Sequence, residues 1–286
     1  MNAEEKLASR WLVSTQWLQD HLDAPDIVVV DGSYYLPTMK RNAREEYLTA
    51  HIPGAVFLDI DAVKDRGSNL PHMMPSAEAF SSAMREMGIG DGSTIVVYDG
   101  LGLFSAPRVW WMFRAFGVRD VNILDGGMPK WKAESRPIDF GEVRRTPRHF
   151  TARFNRGAVA DVEDVKKALA NPDMQVVDAR SAGRFDGTAP EPRPGLPSGH
   201  MPGAINLPWE ALLQDGRMAR PQAIAKAFAE AGVDLDKPVV TTCGSGVSAA
   251  ILWFALDAIG KEPKALYDGS WTEWASRGDL PIETKG

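Results

Sequence analysis

The chain of 286 residues holds one cysteine, Cys243, and its surroundings are arranged for nucleophilic chemistry. Cys243 ends the β-rich run Val239-Val240-Thr241-Thr242 and is followed by Gly244, Ser245, Gly246, Val247 and Ser248 before a helical pattern begins. A loop between a strand and a helix, eased by two glycines, curls so that its backbone N–H groups converge on the side chain at its start. The helix behind it adds the positive end of its dipole. Both effects favour an anion. A free thiol titrates near about 8.5, and each unit of lowering is worth about 1.4 kcal/mol of preference for the thiolate. The same cradle suits a terminal persulfide, so the pattern points to a sulfur carrier. Two other cysteine chemistries fit worse. A phosphatase loop needs arginine six positions after its nucleophile, where Ala249 stands, and no second cysteine exists for a C-x-x-C redox pair.

The elements that must position this loop occur twice. IVVVDGS at 27–33 returns as MQVVDARS at 174–181, and HIPGAVFLD at 51–59 as HMPGAINLP at 200–208. TIVVYDG at 94–100 then answers PVVTTCG at 238–244, and NILDGGMPKW at 122–131 answers ALYDGSWTEW at 265–274. Short β-rich runs separated by helical patterns predict an α/β fold, twice over, each half a parallel sheet with helices on both faces. Strands are expected at 27–30, 55–58, 95–98 and 121–124, and again at 175–177, 204–207, 239–242 and 265–267. Helices are expected at 77–87, 107–116, 223–231 and 248–259. The arginine-rich stretch 139–157 has no clean period and reads as a linker, dividing the chain into domains 1–138 and 158–286.

Composition narrows the class. Apolar residues make up 44% and charged residues 24%, ordinary values for a folded globular chain. The net charge of -6 and five scattered histidines give no basic face for nucleic acid. No segment approaches the length of a membrane span, and the acidic start does not read as a secretory signal. With a lone cysteine nothing asks for an oxidising compartment, and a cytoplasmic protein is expected. No phosphate-binding glycine loop or metal-ligand cluster is apparent, so no cofactor or metal is expected.

Features common to both halves belong to the fold, whereas features of one half are candidates for function. His51 and His200 occupy matching H-[IM]-P-G-A turns, and Asp125 and Asp268 open matching D-G turns, so all four read as scaffold. The loop after the third strand differs: Asp99-Gly100-Leu101 in the first half, Cys243-Gly244-Ser245 in the second.

The motifs Cys243 to Ala249, Gly183-Arg184-Phe185, Glu191-Pro192-Arg193, Ser105 to Trp111 and Tyr267 to Trp271 resemble those of the tandem-domain rhodanese family, in particular its 3-mercaptopyruvate sulfurtransferases. The resemblance implies a catalytic C-terminal domain and an N-terminal rhodanese-like domain that has lost the cysteine, with Asp99 in its place. Thiosulfate users in the family tend to carry cationic residues in the cysteine loop. The uncharged Cys-Gly-Ser-Gly-Val form here fits mercaptopyruvate, whose carboxylate lies away from its thiol. By resemblance Arg184 and Arg193 hold that carboxylate and the adjacent carbonyl, a task for which guanidinium groups are suited. The family further suggests a polar relay around the thiol formed by Ser245, His72 and Asp61. Ser248 stands where threonine is common, which keeps the hydroxyl.

The implied reaction moves sulfur from 3-mercaptopyruvate to Cys243, releases pyruvate, and passes the sulfur to cyanide, a small thiol or thioredoxin in a ping-pong cycle. Two alternatives stand beside it: a thiosulfate:cyanide sulfurtransferase, and a binding module of rhodanese-like fold whose cysteine is idle.

Overall fold

In the computed structural model, which describes residues 7–285, two five-stranded sheets form, and every pairing within them is parallel. The first half runs β1 (Leu12–Val13), α1 (Thr15–His21), β2 (Ile27–Asp31), α2 (Ala43–Thr49) and β3 (Val56–Phe57), then α3 (Ala77–Glu86), β4 (Thr94–Tyr98), α4 (Ala106–Ala115), β5 (Val121–Leu124) and α5 (Gly127–Ala133). The second runs β6 (Val159–Ala160), α6 (Val162–Ala170), β7 (Gln175–Asp178), α7 (Ala182–Asp186) and β8 (Ile205–Asn206). It continues with the hairpin β9 (Leu213–Gln214) and β10 (Arg217–Met218), then α8 (Pro221–Glu230), β11 (Val239–Thr242), α9 (Ala249–Ala258), β12 (Ala265–Tyr267) and α10 (Ser270–Ser276). The sheet orders, β1-β5-β4-β2-β3 and β6-β12-β11-β7-β8, are the same topology executed twice.

Alternation along each strand explains the layers, because successive side chains point to opposite faces. Val28, Val30, Ile95 and Val97 enter one apolar cluster while Ile27, Val29, Val96 and Tyr98 enter another. In the second half Val177, Val239 and Leu266 join the first of these clusters, and Val176, Val240 and Tyr267 form a third. One core is therefore shared between the halves. Helices α4 and α9 meet at its centre, with the Trp110 and Phe254 rings edge to face at 5.0 Å. Each such side chain contributes on the order of 1.5–3 kcal/mol by leaving water, so the halves are not loosely tethered.

The expected strands and helices appear, β5, β11 and β12 with the expected bounds and the others with ends shifted by one or two residues, as at α4 and α8. Residues 140–155 contain no helix or strand, and within them Phe150 is buried against Phe80 and Phe113. The edge strands β1 and β6, two residues each, and the hairpin β9–β10 were not expected. Among the described residues no helix is long and apolar enough to cross a membrane.

Two segments reach across the interface in opposite directions. The loop between β3 and α3 lays Met74 against the second half, where its amide donates to Asp268 Oδ2 at 2.7 Å. The hairpin returns the contact: a Cβ on Gly102 would stand 2.6 Å from the Gly216 carbonyl oxygen, and Arg217 Nη2 lies 2.7 Å from Asp125 Oδ2. Asp125 and Asp268 thus open turns and also stitch the halves together.

Candidate active site

Cys243 stands at the carboxyl end of β11, the central strand, where parallel sheets gather their chemistry. It is a free thiol, 2% exposed. Its amide donates to Ser270 Oγ at 3.3 Å and its carbonyl accepts the Trp271 amide at 2.9 Å. The Gly244 carbonyl accepts the amide of Thr272 at 3.0 Å and its hydroxyl at 2.7 Å. The start of α10 therefore fixes the cysteine backbone. Gly246 adopts φ +77°, a conformation that side chains disfavour. Ser248 is the residue before α9, as expected of the loop's end, although its side chain does not cap the helix.

The first half shows what such a loop holds. Asp99, in the position of Cys243, turns its carboxylate back into its own loop. Oδ2 accepts the amides of Phe104, Ser105 and Ala106 at 2.7, 2.9 and 2.8 Å, and Oδ1 accepts that of Leu101 at 2.8 Å. In the second half the amides of residues 244–249 have no acceptor among the described residues.

Arg184 lies against the cysteine loop, and Arg193 lies against residues of the other half. The guanidinium of Arg184, on α7, overhangs the cysteine loop so closely that a Cβ on Gly244 would lie 2.8 Å from its Nη2. Glu191 fixes it, accepting from Nη2 at 2.5 Å and from Nε at 3.2 Å. The buried Glu191 also accepts from Arg180 Nη1 at 2.8 Å. Arg180 in turn pairs with Asp178 and lies 4.3 Å over the Trp271 ring. Arg184 Nη1 keeps no partner among the described residues. The loop that looked uncharged in sequence thus receives a cation from α7.

Arg193 is met from the other half. Its Nη2 lies 3.2 Å from His72 Nε2 and 3.4 Å from Tyr34 Oη, while Nε and Nη1 are uncommitted among the described residues. His72 is buried, its ring edge-on to Tyr34 at 4.7 Å, and its Nδ1 lies 2.9 Å from Asp61 Oδ1. Arginine only donates, so His72 Nε2 accepts and the proton sits on Nδ1, on the side of the half-exposed Asp61. Burial holds the imidazole below its usual range, more than the Asp61 hydrogen bond raises it. That bond likewise keeps the Asp61 carboxyl low. The ring thus stands between Asp61, 2.9 Å from Nδ1, and Arg193, 3.2 Å from Nε2.

Ser245 is 3% exposed, and its hydroxyl has no hydrogen-bond partner among the described residues. The structure brings Asp61 and His72 to Arg193, and among the described residues neither forms a hydrogen bond or ion pair with Ser245. Three participants escaped the sequence reading. Burial pushes the Tyr34 hydroxyl up, Arg193 opposes this and Asp61 adds to it, and the ring stands edge-on to His72 with its hydroxyl 3.4 Å from Arg193 Nη2. The second is Glu191, visible only as part of the motif that carries Arg193. Third is Arg108, wholly buried between the halves. The paired histidines are structural in their contacts: His51 Nδ1 lies 2.8 Å from the Tyr47 carbonyl, and His200 Nδ1 lies 2.8 Å from the Phe185 carbonyl.

The chain as a whole is similar to known proteins. The Rhodanese-like domain matches residues 14–134 and again residues 161–277. A 3-mercaptopyruvate sulfurtransferase of Escherichia coli K12 is 44% identical over 278 residues, 97% of this chain and 99% of that one. The 3-mercaptopyruvate sulfurtransferase of Homo sapiens is 44% identical over 275 residues, covering 94% of this chain and 93% of its own. The crystal structure of the Escherichia coli 3-mercaptopyruvate sulfotransferase SseA superposes with a TM-score of 0.84 at 42% identity, over 91% of this chain and 98% of that one.

Proposed function

This chain belongs to the rhodanese family, with the fold in two tandem copies, and from that premise we propose that it transfers the sulfur of 3-mercaptopyruvate through a persulfide on Cys243. The observation that carries the site assignment is the contrast between the two loops. Four amides close on the Asp99 carboxylate in one, while the matching amides after Cys243 are left for an anion that arrives with the substrate.

The donor's carboxylate and carbonyl face Arg184 Nη1 and the free edge of Arg193, the one on α7 and the other on the loop that follows it. Held there, the substrate presents its sulfur to Cys243. The thiolate attacks that sulfur: an S–S bond forms, and the C–S bond breaks with its electron pair going to carbon. Pyruvate enolate leaves and takes up a proton at the methylene carbon. The persulfide anion occupies the amide cradle at the head of α9, where oriented N–H groups stabilise charge without reorganising. In this reading Ser245 donates its hydroxyl to the substrate carbonyl oxygen or the departing enolate, a role that its buried hydroxyl beside Cys243 supports, and His72 with Asp61 keeps Arg193 aimed. A second thiophile, whether cyanide, a small thiol or reduced thioredoxin, then removes the outer sulfur. The cytoplasm belongs to the same reading, since its reducing pool keeps a lone thiol ready for turnover. So does the division into domains 1–138 and 158–286 joined by 139–157.

Intact mass spectrometry after brief treatment with 3-mercaptopyruvate tests the proposal. The wild-type chain should gain one sulfur atom with release of one pyruvate, and Cys243→Ala should gain none. Equal sulfur uptake by Cys243→Ala refutes the persulfide assignment, and faster loading from thiosulfate refutes the donor.

A further inference from the structure

We infer that Arg108, contributed by the half without the cysteine, is a positioning residue for sulfur transfer: it clamps the cysteine loop to the segment that carries His72. The inference rests on the function proposed above and adds a residue to it.

Arg108 sits in the first turn of α4 and is 0% exposed. Its Nη1 donates to the Gly246 carbonyl at 3.2 Å, inside the cysteine loop. Nη2 donates to the His72 carbonyl and pairs with Asp268 Oδ1 at 2.7 Å. Asp268 in turn receives the Met74 amide on Oδ2, and the Arg108 guanidinium lies 4.7 Å from the centre of the Trp111 ring. One planar group thus joins three segments: the loop that carries the nucleophile, the loop whose histidine aims Arg193, and the turn before α10. The packing leaves little slack, since a Cβ on Gly246 would stand 2.7 Å from Arg108 Nη1 and 3.2 Å from the Asp268 carbonyl oxygen. His72 is held by this grip at φ 59°, in the left-handed region.

The duplicated fold shows that arginine is not what this helix position requires. Ser105-Ala106-Pro107-Arg108-Val109-Trp110-Trp111 aligns with Ser248-Ala249-Ala250-Ile251-Leu252-Trp253-Phe254, which puts Ile251 in the place of Arg108. Ile251 is also 0% exposed, so the same position serves the core with an apolar side chain. A buried charge pair is weak evidence for stability but suits a junction that must hold one geometry. The opposite junction, where Arg217 and Lys130 meet Asp125, is partly open to solvent and touches the Asp99 loop instead of the cysteine loop. It provides an internal control.

The test uses the full chain and follows pyruvate release from 3-mercaptopyruvate. Arg108→Lys keeps a cation for Asp268 but loses the planar fork, and should lower kcat about tenfold while raising KM, because both the sulfur and Arg193 lose their reference. Arg108→Ala should fall about a hundredfold and recover at least fivefold in millimolar guanidinium chloride but not in sodium chloride of equal ionic strength. Arg217→Met should loosen the interface, lowering the unfolding temperature, with turnover within about twofold of wild type. A folded Arg108→Lys with wild-type kcat and KM overturns the inference, as does a folded Arg108→Ala that guanidinium leaves unrescued. If Arg108→Ala is recovered only unfolded, Arg108→Lys decides. Should the wild-type chain release no pyruvate, the proposed function fails, and the clamp is judged by the rate of Cys243 alkylation with iodoacetamide. That rate must change in Arg108→Lys for the inference to stand.

Discussion

Replacing Arg193 by methionine and His72 by phenylalanine, singly and together, separates two roles for the histidine. Arg193 has Nε and Nη1 uncommitted among the described residues, so methionine removes charge-assisted hydrogen bonds to the donor's carboxylate. Their net worth of about 1.5–3 kcal/mol predicts a rise in KM of about 10- to 150-fold with a smaller effect on kcat. Phenylalanine at 72 keeps a ring against Tyr34 and deletes the 3.2 Å bond to Arg193 Nη2. An ordinary hydrogen bond is worth about 0.5–1.5 kcal/mol, so KM should rise about 2- to 13-fold. If His72 works only by aiming Arg193, the double variant is no worse than Arg193→Met, and the coupling energy equals the whole His72 effect. The pH dependence supplies a second arm. The buried imidazole protonates only below its usual range, and a proton on Nε2 would then face the Arg193 donors. KM should therefore stay flat through the pH range where an ordinary imidazole charges and climb only below it, and His72→Phe should abolish the climb. Steady-state pyruvate release over this range measures all of it. A His72→Phe variant that loses about a hundredfold in kcat, multiplied again in the double variant, would show that His72 moves a proton, since general acid–base catalysis is worth that much.

Three further outcomes are expected. Glu191→Gln removes the charge shared by Arg180 and Arg184 in a buried site, so KM for 3-mercaptopyruvate should rise about tenfold while Cys243 stays alkylatable; an unchanged KM would mean Arg184 needs no such support. Asp99→Ala strips the acceptor from four amides, three of them buried, and should cost about 3–5 kcal/mol in urea unfolding, whereas Asp99→Asn, which keeps an oxygen, should cost less. Asp31 has its carboxyl raised by burial from 3.8 to about 6, so the native state binds that proton more tightly than the unfolded chain does. Its stability contribution is full below about pH 4 and is lost as pH rises through about 6. Asp31→Asn should therefore stabilise the chain by about 3 kcal/mol at pH 8 and by little at pH 4, as read from thermal unfolding with activity unaffected.

Much of this architecture was legible because the sequence repeats. The strands β2, β4, β7 and β11 are runs of β-branched residues long enough to be recognised, and the motifs they share set the two sheets in register. Strands β1 and β6 were invisible for the opposite reason: two residues carry no period, and they become strands only because β5 and β12 offer an open edge. The site divides in the same way. Cys243 and its glycines form one local segment, so their chemistry can be read along the chain. Arg184, Arg193, His72 and Asp61 came only through family resemblance, since nothing along the chain says that residue 193 meets residue 72. Arg108 was within reach of the comparison that exposed Asp99. Setting the α4 and α9 segments side by side puts a charged residue opposite an isoleucine, the kind of mismatch that marks function in a duplicated fold.

The carboxylate of Asp99 has a consequence for how the molecule behaves over a catalytic cycle. Its negative charge is covalently part of the chain, so that loop never empties and never needs refilling. In the proposed cycle the neighbouring loop alternates between a bare and a loaded sulfur, and the helices α4 and α9, which start at the two loops, pack directly on each other. Each turnover thus takes place beside a permanent cast of the charged form, and one lobe supplies an unchanging template against which the other opens and closes its account of sulfur.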